Sequence, residues 1–238
     1  MTLNALENRL AAVRSRIAEA CAAAGRPADS VTLLAVSKGF GADAVACAQA
    51  AGQRDFGENY LQEALAKQET VRRMGPAQRG SSWHFIGPIQ SNKTAEIALN
   101  FDWVHSVDRA RIARRLSEQR PPSLPPLQVC VQVNISGEAS KSGVSPADAG
   151  DLCRYLATLP RLRLRGLMAI PAPVAPGADA RAPFRALREL LETLRRDGLA
   201  LDTLSAGMSD DYAEAIAEGS TMVRIGTAVF GARTIART

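Results

Sequence analysis

Eight short apolar runs, each but the last followed by a longer amphipathic segment, constrain this 238-residue chain more than anything else in it. The runs fall at 31–37, 54–57, 83–87, 102–107, 127–133, 162–170, 202–205 and 222–230. Between them the spacing predicts helices over about 41–51, 60–73, 92–99, 109–119, from Pro146 onward, 180–196 and 211–218, with Ser145 as the cap of the one at Pro146. A strand that feeds a helix and then another strand pairs in parallel. The prolines of 121–126 break a helix and make a rigid connector. With a further helix predicted over 2–24, the pattern fits an α/β fold: one (β/α)8 TIM-type barrel with an extra N-terminal helix, a single domain over 1–238. A doubly wound open sheet is the alternative, weakened because no Gly-x-Gly-x-x-Gly turn follows the first run.

Composition narrows the function classes. No apolar stretch approaches the roughly 20 residues that span a bilayer, and the first ten residues lack a secretory core, so a cytoplasmic protein with no membrane partner is expected. Four widely spaced cysteines without Cys-x-x-Cys, and only two histidines, argue against a structural metal; free thiols are expected. The net charge of +5 invites a nucleic-acid reading. Yet the arginines are scattered along helical segments, and aromatic residues make up only 5% of the chain, which leaves few stacking platforms. No nucleic-acid partner is expected.

In a barrel of this kind, function gathers at the C-terminal ends of the strands. Those ends carry Ser37-Lys38, Glu58-Asn59, Gly87-Pro88, His105-Ser106, Asn134, Met168, Ser205 and Arg224 through Thr227. Of the four lysines only Lys38 closes a core strand; Lys67 falls mid-helix and reads as solvated. A lysine at that place suits Schiff-base chemistry with a carbonyl, or merely snorkels from the mouth. Gly226 lets backbone approach an anion, Thr227 adds a hydroxyl, and the loop 205–211 offers Ser205 and Ser209, so phosphate is expected there. Ser209 or Asp210 could instead cap the next helix. Arg224 points inward or outward according to strand phase; inward, beside a pyridine nitrogen, it would keep that nitrogen unprotonated. Met168 could pack on a flat ring or in the core. Glu58 and Asp102 read as isolated acids, and His84 as structural. One amine for a carbonyl together with one phosphate cradle points to pyridoxal 5′-phosphate.

Several blocks also resemble the pyridoxal phosphate homeostasis protein family: 34–38 (Leu-Ala-Val-Ser-Lys), 56–60 (Phe-Gly-Glu-Asn-Tyr), 83–93, 165–171, 207–211 and 219–227. The resemblance implies the barrel of the alanine racemase N-terminal domain without its second, β-rich domain. It further implies pyridoxal 5′-phosphate on Lys38, phosphate around Ser205, Ser209, Gly226 and Thr227, and Arg224 towards the pyridine nitrogen. A role in vitamin B6 and amino-acid homeostasis without established catalysis follows from it. The family continues Thr-Lys-Pro after its Ser-Lys, whereas here Gly39-Phe40-Gly41 follows, so a looser loop and the loss of any second-lysine role are expected.

Three functions compete at this stage. The first is a monomeric carrier that holds the reactive aldehyde for pyridoxal phosphate-dependent apoenzymes, with no catalytic residue of its own. The second is an amino-acid racemase, which needs a second base; the tyrosines (Tyr60, Tyr155, Tyr212) are poor candidates, and a chain ending at Thr238 is expected to leave no domain to close the site. The third is a Schiff-base aldolase without cofactor, which would purify colourless.

Overall fold

The structure is a computed structural model and describes residues 3–75, 80–138, 141–173, 175 and 177–232. Eight strands close a parallel barrel in sequence order: β1 (Thr32–Val36), β2 (Asp55–Glu58), β3 (Ser82–Phe85), β4 (Trp103–Val107), β5 (Leu127–Gln132), β6 (Leu162–Met168), β7 (Thr203–Ser205) and β8 (Met222–Ile225). The last strand returns to the first in the register Leu34 opposite Arg224. The helices are α1 (Leu3–Ala23), α2 (Ala42–Ala50), α3 (Leu61–Arg73), α4 (Thr94–Asn100), α5 (Ala110–Gln119), α6 (Pro146–Ala157), α7 (Ala182–Arg196), α8 (Tyr212–Ala217) and α9 (Thr227–Phe230). None of them is long and apolar enough to cross a membrane, among the described residues. Residue 2, at the predicted start of α1, lies outside the described residues, as do Val174 and Pro176.

The expected barrel is observed, with one element misread. The run 222–230 is not a single strand: β8 ends at Ile225, Gly226 leaves the extended region at ψ −72°, and α9 follows at once. Apolar residues fill both elements, so hydropathy alone carries no break between them. At α6, Ser145 caps as expected, its hydroxyl accepting from the Asp148 amide.

Because α8 and α9 are so short, one flank of the barrel needs other cover. Leu6, Leu10, Val13, Ile17 and Cys21 recur along one face of α1 and pack with Leu33, Ala35, Ile216 and Phe230. This is why the extra helix belongs to the fold. The second cluster joins the outward faces of β3–β7 to α3–α8.

Strand phase decides what points inward. Leu34, Val36, Ile86 and Met222 form a small apolar cluster inside the barrel, so with a side-chain period of two His84, Arg224 and Gly226 share their side. The interior is therefore partly polar, and each polar group there needs a partner. Gly87 is needed at the top: a Cβ on it would lie 2.0 Å from the carbonyl oxygen of Asn59.

Candidate functional site

A cavity of about 670 Å³ opens at the C-terminal ends of the strands. A volume of this order holds a small cofactor. Its wall contains Lys38, Asn59, Ser209, Arg224, Gly226 and Thr227, together with Val36, Phe40, Ile86, Ile170, Met208, Asp210 and Ala228. Its ionisable side chains are thus Lys38, Asp210 and Arg224.

Lys38 sits two residues beyond β1 in a turn gripped from α3. Gly39 has the left-handed φ of 76° and donates its amide to Glu63 Oε1 at 2.6 Å. On the other flank, Lys67 Nζ donates to the Ser37 carbonyl at 2.7 Å. Lys67 also pairs with Glu58, which accepts from the Ser37 hydroxyl at 2.6 Å. Lys67 is therefore buried, not solvated, and Glu58 is not isolated. The reason is mutual: a carboxylate buried at the end of β2 needs a cation, and Lys67 reaches it one helix away. Burial still dominates, pushing the Glu58 carboxyl above its usual value against the opposing pull of Lys67.

The loop expected to be looser is tied at three points. Besides the Gly39 contact, the Phe40 amide donates to the Ser37 carbonyl at 3.1 Å, and the Phe40 ring stacks on Phe230 of α9 at 5.1 Å between centroids. The aromatic ring supplies packing that the backbone freedom of two glycines would otherwise forfeit.

Beside the Lys38 turn, Gly226 follows β8, the strand paired with β1, and is the N-cap of α9. The Gly226 carbonyl accepts from Val229 and Phe230, while the amides of Gly226, Thr227 and Ala228, as the first of a helix, have no acceptor within it. Space there is tight, a Cβ on Gly226 meeting the Val36 carbonyl oxygen at 3.1 Å. Helix-start amides on a wall shared with Ser209 and Thr227 suit a phosphate. Neither Ser209 nor Asp210 caps α8: its first residue follows Asp211, whose carboxylate instead accepts from the Met208 amide at 2.6 Å.

Arg224 points inward and is buried. It donates to the Ser205 carbonyl, to Ser205 Oγ at 2.9 Å and to the Ala169 carbonyl at 2.8 Å. Burial lowers its pKa to about 10, with Asp211 opposing. At neutral pH it is a cation locked in orientation.

The other expected site residues stand further back. Ser205 and Met168 are fully buried and do not line the cavity. Asn134 spends its amide on the Glu138 and Lys141 carbonyls, holding the loop after β5. Tyr60 is exposed and lines a neighbouring groove with Pro88 and Gln90. Two features escaped the sequence reading: the Lys67–Glu58–Glu63 cluster, and a contact between the two histidines, His84 Nδ1 to His105 Nε2 at 2.9 Å. The four-residue spacing of Glu63 and Lys67 on α3 was the available signal for the first.

The residues present fit pyridoxal 5′-phosphate. Lys38 and the residues at the start of α9 line a common cavity, and Asn59 Oδ1 is buried with no hydrogen-bond partner, an acceptor left for a ligand. Elsewhere nothing competes: no metal-holding group of His, Cys, Asp or Glu occurs among the described residues, and burial raises the Cys130 and Cys153 thiols to about 12.

Residues 8–234 match the family of the alanine racemase N-terminal domain. The pyridoxal phosphate homeostasis protein of Pseudomonas aeruginosa is 60% identical over 231 residues, covering 97% of each chain. That of Escherichia coli K12 is 52% identical, covering 97% of this chain and 98% of its own. Among solved structures, PipY of Synechococcus elongatus with PLP bound superposes with a TM-score of 0.80 at 38% identity, over 95% of this chain and 100% of that one. Alanine racemase from Corynebacterium glutamicum shares the fold, with a TM-score of 0.65 at 21% identity, this chain spanning 63% of it.

Proposed function

The chain belongs to the alanine racemase N-terminal domain family and, within it, to the pyridoxal phosphate homeostasis proteins, and we propose that it binds pyridoxal 5′-phosphate in the barrel mouth and acts in vitamin B6 and amino-acid homeostasis. The observation that carries this reading is that Lys38 and the start of α9 line one cavity. When bound, the cofactor supplies an electrophilic aldehyde and a pyridine ring that accepts electrons.

Lys38 Nζ holds the aldehyde end covalently. Amides of Gly226, Thr227 and Ala228, with the hydroxyls of Thr227 and Ser209, take the phosphate. Asn59 supplies its unpartnered acceptor, and Arg224 faces the pyridine nitrogen. A guanidinium donates and never accepts, so it holds that nitrogen without a proton and blunts the electron withdrawal that catalysis on amino acids draws on.

Holding without turnover is the consistent use of such a site. Among the described residues Asp210 is the one remaining ionisable group on the wall, and it lies in the loop that contributes Ser209 to the phosphate end. We read the chain as one domain acting as a monomeric, cytoplasmic carrier whose recipients are pyridoxal phosphate-dependent apoenzymes. The test is uptake: the purified chain titrated with pyridoxal phosphate gains a visible absorption band, and Lys38→Ala gains none while keeping its circular dichroism. A band that persists in the variant would remove Lys38 from the site; a steady racemisation of alanine by the loaded protein would favour the racemase.

A further inference from the structure

Below the cavity a single file of hydrogen bonds crosses the barrel interior through five strands' side chains. Arg224 Nη1 donates to Ser205 Oγ at 2.9 Å, and Ser205 Oγ lies 2.8 Å from His105 Nδ1. His105 Nε2 lies 2.9 Å from His84 Nδ1, and His84 Nε2 lies 3.1 Å from Asp55 Oδ1. Ser205, His105 and His84 are fully buried and Arg224 nearly so, while Asp55 is partly exposed at the N-terminal end of β2.

The order of protons along this file follows from counting them. Arg224 has no acceptor capacity, so Ser205 Oγ receives from it. The single hydroxyl proton of Ser205 then needs an acceptor, and among the described residues His105 Nδ1 is the one in reach. That places the His105 proton on Nε2, from which it is donated to His84 Nδ1. His84 in turn carries its proton on Nε2 and donates to the Asp55 carboxylate. Every atom is satisfied with both rings neutral, and all donors run one way, from a cation at the mouth to an anion at the base. The reverse order would give Ser205 Oγ two donors and leave its own proton without a partner, at the cost of an unmade buried hydrogen bond. Burial, then His84 and Arg224, hold His105 well below its ordinary pKa, in keeping with a neutral ring. Stacking of His84 on Trp103 at 5.3 Å and 9° fixes the plane of the lower ring.

We propose that His84 and His105 are positioning residues for the cofactor ring: anchored on Asp55, they keep the Ser205 hydroxyl turned away from Arg224, so that it accepts, and thereby fix the guanidinium at the pyridine nitrogen. The inference rests on the reading of the site given above, but its first test needs no cofactor. The chain has only two histidines, so ring 15N resonances of histidine-labelled protein are assigned by comparison with His105→Phe. At pH 7 each ring is expected to be neutral, protonated on Nε2 and bare on Nδ1. A proton on His105 Nδ1, or a doubly protonated ring, would overturn the proposal.

The second test reads the ring site. His105→Phe keeps the ring volume and strands the Ser205 hydroxyl. Folded by circular dichroism, it is expected to bind pyridoxal phosphate about tenfold more weakly, with a shifted visible band. Ser205→Ala added to it is expected to cost little more, because the two act through one file. Unchanged affinity and spectrum in His105→Phe, or full additivity of the two substitutions, would contradict the positioning role. A parent protein that takes up no pyridoxal phosphate would sink the reading of the site instead, and the tautomer result would still decide the order of the hydrogen bonds.

Discussion

Lys67 donates to the carbonyl of Ser37 at 2.7 Å, so a helix that supplies nothing to the cavity wall nonetheless grips the residue before Lys38. The same ammonium neutralises Glu58, and the same helix holds the Gly39 amide through Glu63. The Lys38 turn is thus clamped on both sides from α3.

Lys67→Met tests the clamp. It leaves Glu58 buried without its cation, and losing one partner of a buried pair costs about 3–5 kcal/mol. Urea denaturation is expected to show a loss of that order, and the cofactor complex to dissociate faster. A change below about 1 kcal/mol would mean that the pair contributes little.

Phe40→Ala tests the tie between the lysine turn and α9. Aromatic pairs are worth about 0.5–1.5 kcal/mol beyond their area, which corresponds to roughly two- to tenfold in an equilibrium. Transfer of pyridoxal phosphate to an apoenzyme in stopped flow is expected to speed up within that range. An unchanged transfer rate would show that the stacking does not restrain release.

Much of this was legible in the sequence, and the failures share a cause. The eight units, the Ser145 cap and Lys38 at a strand end follow from local periodicity, which one chain displays in full. The burial of Lys67 did not, because its partner lies nine positions away on another element and mid-helix lysines ordinarily face water. The histidine contact was equally hidden: period two fixes which residues share a face, but not which face the barrel turns inward. The short α9 was lost in an apolar run common to β8 and itself.

Acid stability should carry the signature of His105. Its folded pKa lies well below the ordinary 6.5, so between those values the unfolded chain binds more protons than the folded one. Stability therefore rises with pH across that window and falls as pH drops below about 6.5, by up to about 1.4 kcal/mol per pH unit for one proton. Denaturant midpoints at pH 7 and pH 5.5 should separate more in the parent than in His105→Phe. Equal separation would place the titration elsewhere.

Gly87→Ala should be among the costliest small changes near the site. The added methyl would fall 2.0 Å from the Asn59 carbonyl oxygen, and the backbone must move to admit it. A loss of about 1–3 kcal/mol is expected by thermal denaturation, together with weaker cofactor binding through displaced Asn59. Parent-like stability would show that the two strand ends are looser than the geometry implies.

The central claim is that Lys38 holds pyridoxal 5′-phosphate, and borohydride reduction of the loaded protein followed by peptide mapping tests it most directly. The visible band should collapse, and one phosphopyridoxyl adduct should map to Lys38. An adduct on Lys67, Lys93 or Lys141 with Lys38 unmodified, or a protein that takes up no cofactor, would contradict it.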